Sequence, residues 1–226
     1  MGVGKLQASK LNYQRYRIQF TKQGRARFIG HLDLQDLFAR ALKRAKFPMA
    51  YSQGFNPHQL MSIALPLPLG MTGKSEIFEV FFTKEIPVCE IVDNLNQQMP
   101  LGIDIISAHK VQSAGKSAAG LVRKAIYCIS FPNLDKLDLW ELKNLNQMQI
   151  ETKNKKGMKI VDIKQDIFSL EQEDNAIIAT LSAGSEKNLK PQLLAEFINN
   201  HINGSFAPHQ ISYERRLLIF EENFDK

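Results

Sequence analysis

Cysteine is scarce in this chain: among 226 residues only Cys89 and Cys128 occur. They lie far apart within apolar stretches, which excludes a disulfide scaffold and a Cys-x-x-Cys metal site and predicts a cytoplasmic protein. Long hydrophobic runs are missing as well. The longest, residues 63–70, is interrupted by Pro66 and Pro68, whereas a membrane helix needs about 20 consecutive apolar residues. The sequence therefore predicts a protein that does not contact the membrane.

The motifs that hold nucleotides and catalytic serines are also absent. Neither Gly-x-Gly-x-x-Gly nor Gly-x-Ser-x-Gly occurs in the sequence. The Walker-like end Gly115-Lys116-Ser117 has Lys110 at the position where that motif needs its first glycine. The few histidines match no metal-ligand spacing. We therefore predict neither a cofactor nor a bound metal.

Positive charge is concentrated at one end of the sequence. The chain carries a net charge of +6, and its first 50 residues hold eleven lysines and arginines against only Asp33 and Asp36. The remainder is slightly acidic. A local basic block of this kind favours a partner rich in phosphate or carboxylate groups. We predict RNA as that partner and expect no specificity for DNA.

Residue periodicity predicts the fold of the first half. Residues 15–21 alternate apolar side chains with basic or polar ones, which predicts a half-buried strand with Arg15 and Arg17 facing outward. Residues 32–46 repeat apolar side chains at helical spacing. The order β-α-β-β-α-β that results is typical of a ferredoxin-like domain, an antiparallel sheet covered by two helices. The other predicted elements are strands near residues 60–65, 76–83 and 103–111, and a helix after Pro87.

The second half of the chain repeats this pattern of elements. Residues 113–120 are small, polar and glycine-containing, which predicts a linker. Beyond it the sequence predicts strands and two helices, one around Trp140 and one at residues 191–201. We therefore predict an α+β protein of two tandem ferredoxin-like domains. The predicted boundaries are a flexible lead-in at 1–12, a first domain at 13–112, the linker at 113–120 and a second domain at 121–226.

Three loops of the first predicted domain combine aromatic residues, histidines, amides and glycines. Loops with such residues often bind ligands, and single-stranded RNA is bound by cations at its phosphates and aromatic rings at its bases. Histidine titrates near neutral pH and can act as a catalytic acid or base. The candidate catalytic residues are therefore His31 and His58, with Asp33. The predicted RNA-binding residues are Arg25, Arg27, Arg40, Lys43, Arg44, Phe28, Tyr51, Phe55 and Asn56.

Each of these assignments has a structural alternative. Lys43 and Arg44 lie late in the predicted helix, where cations complement the helix dipole without binding a partner. His31 lies at the start of the same helix, where it can brace a loop instead of taking part in catalysis. The uneven distribution of charge along the chain favours binding over these alternatives.

Three ordered motifs carry a resemblance to a known family. They are Phe28-Ile29-Gly30-His31-Leu32-Asp33-Leu34, Tyr51-Ser52-Gln53-Gly54-Phe55-Asn56-Pro57-His58 and Ala64-Leu65-Pro66-Leu67-Pro68-Leu69-Gly70. Across residues 13–111 the chain resembles the bacterial radical-SAM-linked protein family, a domain of unknown function found alone or fused to radical-SAM enzymes. In that family the first two motifs often read Ile-Ser-His-Leu-Asp and Asn-Pro-His-Pro, so Gly30 and Gln59 depart from the pattern.

The resemblance implies a cytoplasmic bacterial protein that works with a radical-SAM enzyme. The chain cannot be that enzyme itself, because it lacks the Cys-x3-Cys-x2-Cys run that binds the iron–sulfur cluster. We predict a non-catalytic module that binds RNA or presents a substrate to the enzyme, with ribosomal or transfer RNA as the target. Two alternatives remain open: an RNA-cleaving enzyme that uses histidine acid–base chemistry, and a protein-interaction subunit whose basic face docks an acidic patch.

Overall fold

The computed structural model of the chain describes residues 13–112, 115–134, 137, 139–154, 157–202, 204 and 206–221. The predicted lead-in at 1–12 and the first two residues of the predicted linker lie outside this described part. The chain divides into two compact units. The first comprises residues up to Val122 together with Phe220 and Glu221, and the second is Arg123–Ile219. No helix in the described part is long and apolar enough to cross a membrane.

The first unit contains the elements that the periodicity predicts, with ends shifted by a few residues. The largest shift is in the third strand, which begins at Thr72 rather than at residue 76. The elements are β1 (Gln14–Lys22), a 3-10 helix (Gly24–Phe28), α1 (His31–Arg44), β2 (Met61–Ile63), β3 (Thr72–Phe82), α2 (Val88–Asn96), β4 (Ile105–Val111) and α3 (Ala118–Leu121).

The sheet of the first unit has the strand order β4-β1-β3-β2, and all neighbouring strands are antiparallel. Ile18 of β1 lies opposite Phe78 of β3 and Ala108 of β4, so these side chains share one face, against which α1 and α2 pack. We call the end at which β1 finishes and α1 begins the Lys22 end. The opposite end, where β3 finishes beside the start of β1, is called the Phe81 end.

A single hydrophobic core holds the helices to this sheet. Tyr16, Ile18 and Phe20 of β1 line it together with Phe38 of α1, as the alternation and the helical spacing predict. The Phe38 ring stacks on Phe78 at a centroid distance of 4.3 Å and meets the edge of the Phe20 ring at 4.9 Å. Full burial of each large apolar side chain stabilises the fold by about 1.5–3 kcal/mol.

The face of β1 opposite the helices differs from the prediction. Arg15 and Arg17, which the alternation predicts to face outward, are only 3% and 2% exposed. Both guanidinium groups contact Oε2 of Glu79 on β3, at 2.6 and 3.3 Å. The Ala118 amide donates to the same oxygen at 3.0 Å, and Arg15 also donates to the Lys116 carbonyl at 2.7 Å. These partners compensate the several kcal/mol that each buried ion loses on desolvation.

Burial reduces the number of basic side chains near the start of the chain that can bind another molecule. Three of the eleven basic residues near the start of the chain, Arg15, Arg17 and Lys22, are inside the protein. The basic block that the sequence indicates is therefore smaller at the surface than a count of charges suggests. The exposed cations among the described residues of this segment are Arg25, Arg27, Arg40, Lys43, Arg44 and Lys46.

The second unit has a similar order of elements with additions. Its strands follow the order β10-β5-β9-β8, and β6 and β7 form a separate antiparallel hairpin. Its elements are β5 (Val122–Ser130), α4 (Leu139–Asn144), β6 (Gln149–Asn154), β7 (Gly157–Asp162), a 3-10 helix (Lys164–Asp166), β8 (Ile167–Glu173), β9 (Ala176–Ser182), α5 (Pro191–His201), a 3-10 helix (Pro208–Gln210) and β10 (Ser212–Phe220).

The second unit tests the prediction at several points. The helix predicted at residues 191–201 is present with both of its predicted ends. The strand β8 is absent from the sequence prediction, which assigns no helix or strand to its residues. Across the described residues the protein is a mixed α+β fold with largely antiparallel strands and few helices, and this confirms the predicted class. The finer prediction, two tandem ferredoxin-like domains, stays a prediction.

Residues 115–121 fold onto the first unit and include the short helix α3. Ala118 and Leu121 are buried there. The Lys116 ammonium pairs with the carboxylate of Glu221 at 2.8 Å, and the Glu221 amide donates to the Leu121 carbonyl at 2.8 Å. The chain therefore returns beside α3 after it has formed the second unit.

Candidate functional site

The predicted site residues lie in two groups at different ends of the first unit. The 3-10 helix and the first turn of α1, at the Lys22 end, carry Arg25, Arg27, Phe28, His31 and Asp33. The second group lies on the later part of α1 and on the loop that follows it. Its members are Arg40, Lys43, Arg44, Tyr51, Phe55, Asn56 and His58.

Hydrogen bonds at its two sides hold the 51–58 loop at the Phe81 end. The amide of Ala50, just before the loop, donates to the Phe81 carbonyl at 2.9 Å. Just after the loop, Nε2 of Gln59 reaches the carbonyl of Ala39 in α1 at 3.5 Å. The loop therefore lies beside the second half of α1.

Ser52 and His58 close the 51–58 loop. The Ser52 amide donates to the His58 carbonyl at 2.8 Å, and the His58 amide donates to the Ser52 hydroxyl at 3.0 Å. That hydroxyl also lies 2.8 Å from Nδ1 of His58. Gly54 adopts a φ of +136°, a conformation that favours glycine in a tight turn. The closed loop presents Phe55, which is fully exposed, and the exposed ring of Tyr51.

The three predicted cations of α1 have different surroundings. Arg44 is bound beyond the end of α2, since its Nη2 donates to the Gln98 carbonyl at 2.7 Å and its Nε donates to Gln98 Oε1 at 3.1 Å. Arg40 and Lys43 are exposed, and no carboxylate within the described part of the chain forms an ion pair with either. These two residues are separated by three positions and so lie on one side of the helix. They are the cations of α1 that a partner can reach most directly.

The 3-10 helix presents the other group at the Lys22 end. The buried ammonium of Lys22 donates to the carbonyls of Arg27 and Ile29, at 3.3 and 2.7 Å. The amide of Gly70 also donates to the Arg27 carbonyl, at 2.9 Å. In the sequence, Phe28 lies between Arg27 and Ile29, whose carbonyls both accept from Lys22. The Arg27 guanidinium lies 4.8 Å from the centroid of the Phe28 ring. The first and third sequence motifs therefore meet at this end.

Four large apolar side chains are exposed around the 3-10 helix, and we call them the apolar patch. They are Phe28, Leu32, Leu69 and Leu101, exposed by 59, 73, 68 and 99%. Leu69 adjoins Gly70, whose amide is bound to the 3-10 helix region. Leu101 adjoins Gly102, whose carbonyl accepts the amide of Gln23 at 2.7 Å. Phe28 is one of the predicted RNA-binding residues, whereas Leu32 and Leu69 occur only within the family motifs and Leu101 lies outside them.

The two candidate catalytic histidines do not share a site. His31 begins α1 at the Lys22 end beside Asp33, whereas His58 closes the loop at the Phe81 end. Eight residues of α1, or about 12 Å, separate His31 from Ala39, the point at which the loop meets the helix. A catalytic acid and base must reach the same substrate atoms, so this pair does not form an acid–base site. The described residues also contain no group of three His, Cys, Asp or Glu side chains placed to hold a metal.

The fold and these surfaces define an α+β protein whose distinctive side chains lie on exposed loops of its first unit. The chain belongs to the DUF2344 family, described as an uncharacterized protein conserved in bacteria, and the match covers residues 15–191. No curated protein matches the chain in sequence. The match includes all three sequence motifs and confirms membership of an uncharacterised bacterial family. The link to radical-SAM enzymes stays a prediction.

Proposed function

We propose that this protein is a non-catalytic RNA-binding module whose contact surface is the 51–58 loop together with the exposed cations of α1. The observation that carries the proposal is the closed loop with Phe55 on it. The Phe55 ring is fully exposed and contributes nothing to the core, while Ser52 and His58 hold the surrounding backbone in place. Exposed rings beside unpaired cations bind single-stranded nucleic acid, because bases stack on the rings and phosphates meet the cations.

Each residue of this surface has a distinct role in the proposal. Phe55 and Tyr51 stack on nucleobases, and the Asn56 amide donates to or accepts from a base edge. Arg40 and Lys43 contact the phosphates of the same strand. The isolated antiparallel bridge between Tyr51 and Gln59 joins the two sides of the loop at its base. This division of roles makes the aromatic and electrostatic contributions separable by mutation.

The outer face of the sheet is a poorer candidate for RNA contact. In RNA-binding modules built on a four-stranded sheet, aromatic side chains on an open sheet face stack on the bases. Here the corresponding face of β1 and β3 carries Arg15, Arg17 and Glu79, which are buried in contact with residues 116–118. Burial of this face favours the loops as the RNA-contacting surface.

The proposal includes the setting that the family resemblance implies. In it the protein works in the bacterial cytoplasm, binds ribosomal or transfer RNA, and presents it to a radical-SAM enzyme. The proposal also treats both units as ferredoxin-like. The strand orders β4-β1-β3-β2 and β10-β5-β9-β8 support this, since each reads fourth, first, third, second once the β6–β7 hairpin is set aside as an insertion.

Contact of Arg40 and Lys43 with phosphates predicts a defined salt dependence. Each phosphate contact to a single strand contributes about −0.7 to the slope of log affinity against log salt concentration. The double variant Arg40→Gln, Lys43→Gln should therefore flatten this slope by about 1.4. Fluorescence anisotropy of a labelled single-stranded RNA at several salt concentrations measures the slope, and circular dichroism confirms that the variant is folded.

A matched pair of arginines provides the control for this experiment. The variant Arg25→Gln, Arg27→Gln removes the same charge from the Lys22 end and should leave the slope unchanged. Equal flattening in both variants would mean that RNA senses only the overall charge and not the α1 surface. Absence of RNA affinity in the unmodified protein at low salt would overturn the proposed function itself.

Phe55→Ala should weaken RNA binding without changing the salt slope. Stacking of one base on an aromatic ring contributes about 1–3 kcal/mol, and the ring carries no charge. Trp140→Ala is the matched control, because Trp140 is also an exposed aromatic residue but lies in the second unit. If both variants bind RNA as tightly as the unmodified chain, the 51–58 loop is not the contact surface.

A further inference from the structure

The apolar patch at the Lys22 end consists of exposed side chains around the 3-10 helix that the first unit does not use for its own core. Its four members stand on three segments of chain: the 3-10 helix with the start of α1, the loop before β3, and the turn before β4. Soluble proteins rarely expose several large apolar side chains together unless the surface binds a partner. Because these exposed side chains do not stabilise the fold, binding of a partner is the expected reason for their exposure.

The backbone beneath the patch is ordered by buried contacts. The ammonium of Lys22, itself buried, fixes two carbonyls on either side of Phe28. The turn that carries Leu101 also contacts this backbone. Gly102 has a φ of +92°, and a Cβ at this position would lie 2.5 Å from the Gln23 carbonyl oxygen. The same Cβ would lie 3.2 Å from that of Ala26, so the turn packs directly on the 3-10 helix. An ordered surface of this kind loses little conformational entropy when a partner binds.

The chemistry of the patch favours a protein over RNA as its occupant. Three of its four members are leucines, which cannot stack on nucleobases as aromatic rings do. Arg25 and Arg27 are exposed on the same 3-10 helix, and neither forms an ion pair with a carboxylate among the residues described. Aromatic residues and arginine are enriched in protein interfaces, and Phe28, Arg25 and Arg27 belong to these types.

Two acidic residues next to the patch, Asp33 and Asp104, have local roles, and Oδ2 of Asp104 accepts from the Thr21 hydroxyl at 3.0 Å. The carboxylate of Asp33, in the first turn of α1, lies close to the backbone at Gly30, where a Cβ would be 3.1 Å from its Oδ2. That position complements the positive end of the helix dipole. The two arginines therefore remain available to carboxylates from another molecule.

We propose that the apolar patch, with Arg25 and Arg27 at its side, docks an amphipathic segment of a partner protein in which apolar residues are flanked by aspartate or glutamate. The apolar residues of that segment cover the patch, and its carboxylates pair with the two guanidinium groups. The ion pairs orient the segment and speed its association more than they add affinity. The proposal does not depend on RNA binding, because the patch lies at the opposite end of the first unit from the 51–58 loop.

Selection from a display library of random 12-residue peptides tests this proposal with the full chain as the immobilised target. The proposal predicts that selected peptides are enriched in Leu, Phe or Trp together with Asp or Glu. It also predicts that a selected peptide binds the variant Leu32→Ser, Leu69→Ser at least tenfold more weakly than the unmodified protein. Both leucines are exposed, so these substitutions should leave the fold intact.

Two further variants make the result decisive. Met158→Ser, Ile160→Ser removes two equally exposed apolar side chains from β7 in the second unit and should leave peptide binding unchanged. Leu101→Ser removes a patch side chain from a different segment and should also weaken peptide binding. It replaces the double variant in the comparison if the double variant proves poorly folded. Failure to enrich acidic peptides, or equal binding by the patch and β7 variants, would overturn the proposal. A tenfold loss of RNA affinity in the Leu32, Leu69 variant would assign the patch to RNA instead.

Discussion

Replacement of Phe38 by alanine should lower the free energy of unfolding by about 3–5 kcal/mol. The ring is fully buried between Phe20 and Phe78, and its removal eliminates both contacts and leaves a cavity. Urea unfolding followed by circular dichroism measures the effect. Tryptophan fluorescence is unsuitable as the probe, because Trp140 lies in the second unit and does not report on this core.

The neighbouring residue supplies the comparison. Leu37 packs against the same core but is only partly buried, so Leu37→Ala should cost about 1–2 kcal/mol. A larger loss for Phe38 than for Leu37 supports the packing of α1 on the sheet described here. Equal losses, or a loss below about 1 kcal/mol for Phe38, would contradict it.

Glu79→Gln should destabilise the protein by about 3–5 kcal/mol, because it removes the negative charge of this buried cluster while keeping the shape of the side chain. Two buried guanidinium groups, those of Arg15 and Arg17, then lose the carboxylate that both contact. The glutamine oxygen can still accept from the Ala118 amide, so the loss reports mainly on charge. Urea unfolding of the variant and the unmodified chain at the same pH measures the difference.

A surface ion pair provides the control for this charge effect. Glu85 pairs with Lys110 at 2.8 Å, but both side chains are exposed to solvent. Exposed pairs contribute about 0–1 kcal/mol, so Glu85→Gln should change stability little. If Glu79→Gln is as mild as Glu85→Gln, the buried cluster does not contribute to stability in the way its geometry indicates.

Local periodicity was sufficient to predict most helices and strands of the first unit. The alternation of Tyr16, Ile18 and Phe20 predicts β1, and the apolar stripe through Phe38 predicts α1, because each reflects one buried face of a regular element. The strand β8 escaped prediction because Glu171 and neighbouring polar residues dominate its second half. Its apolar residues Ile167, Phe168 and Leu170 are confined to its first half, and pairing with β9 extends the strand to Glu173.

Long-range pairing explains the main error in the fold prediction. Arg15 and Arg17 occupy the positions of an outward face, and nothing within β1 indicates that this face is buried. Their partner Glu79 is 64 and 62 residues away. The available signal was in β3, where Glu79 interrupts the apolar run of residues 77–82, since a carboxylate in a buried strand needs a cationic partner.

The candidate site was predictable by residue type but not by location. The motif that contains His58 lies in an exposed loop, as predicted, whereas His31 begins α1, and the fold places the two motifs at opposite ends of the first unit. The helix α1 causes this separation, because it carries the chain from the Lys22 end of the sheet to the Phe81 end. The leucines of the apolar patch were missed because three separate segments contribute them. The best local signal was Leu32, which lies off the apolar stripe of α1.

The return of the chain beside α3 makes the second unit an insertion within the first. Its points of departure and re-entry are joined by the hydrogen bond between the Glu221 amide and the Leu121 carbonyl, only 2.8 Å long. A short glycine linker can therefore replace residues 123–219 without stretching the first unit. During synthesis on the ribosome, the first unit also cannot be completed until nearly 100 further residues have been made, because Phe220 and Glu221 follow the second unit in the sequence.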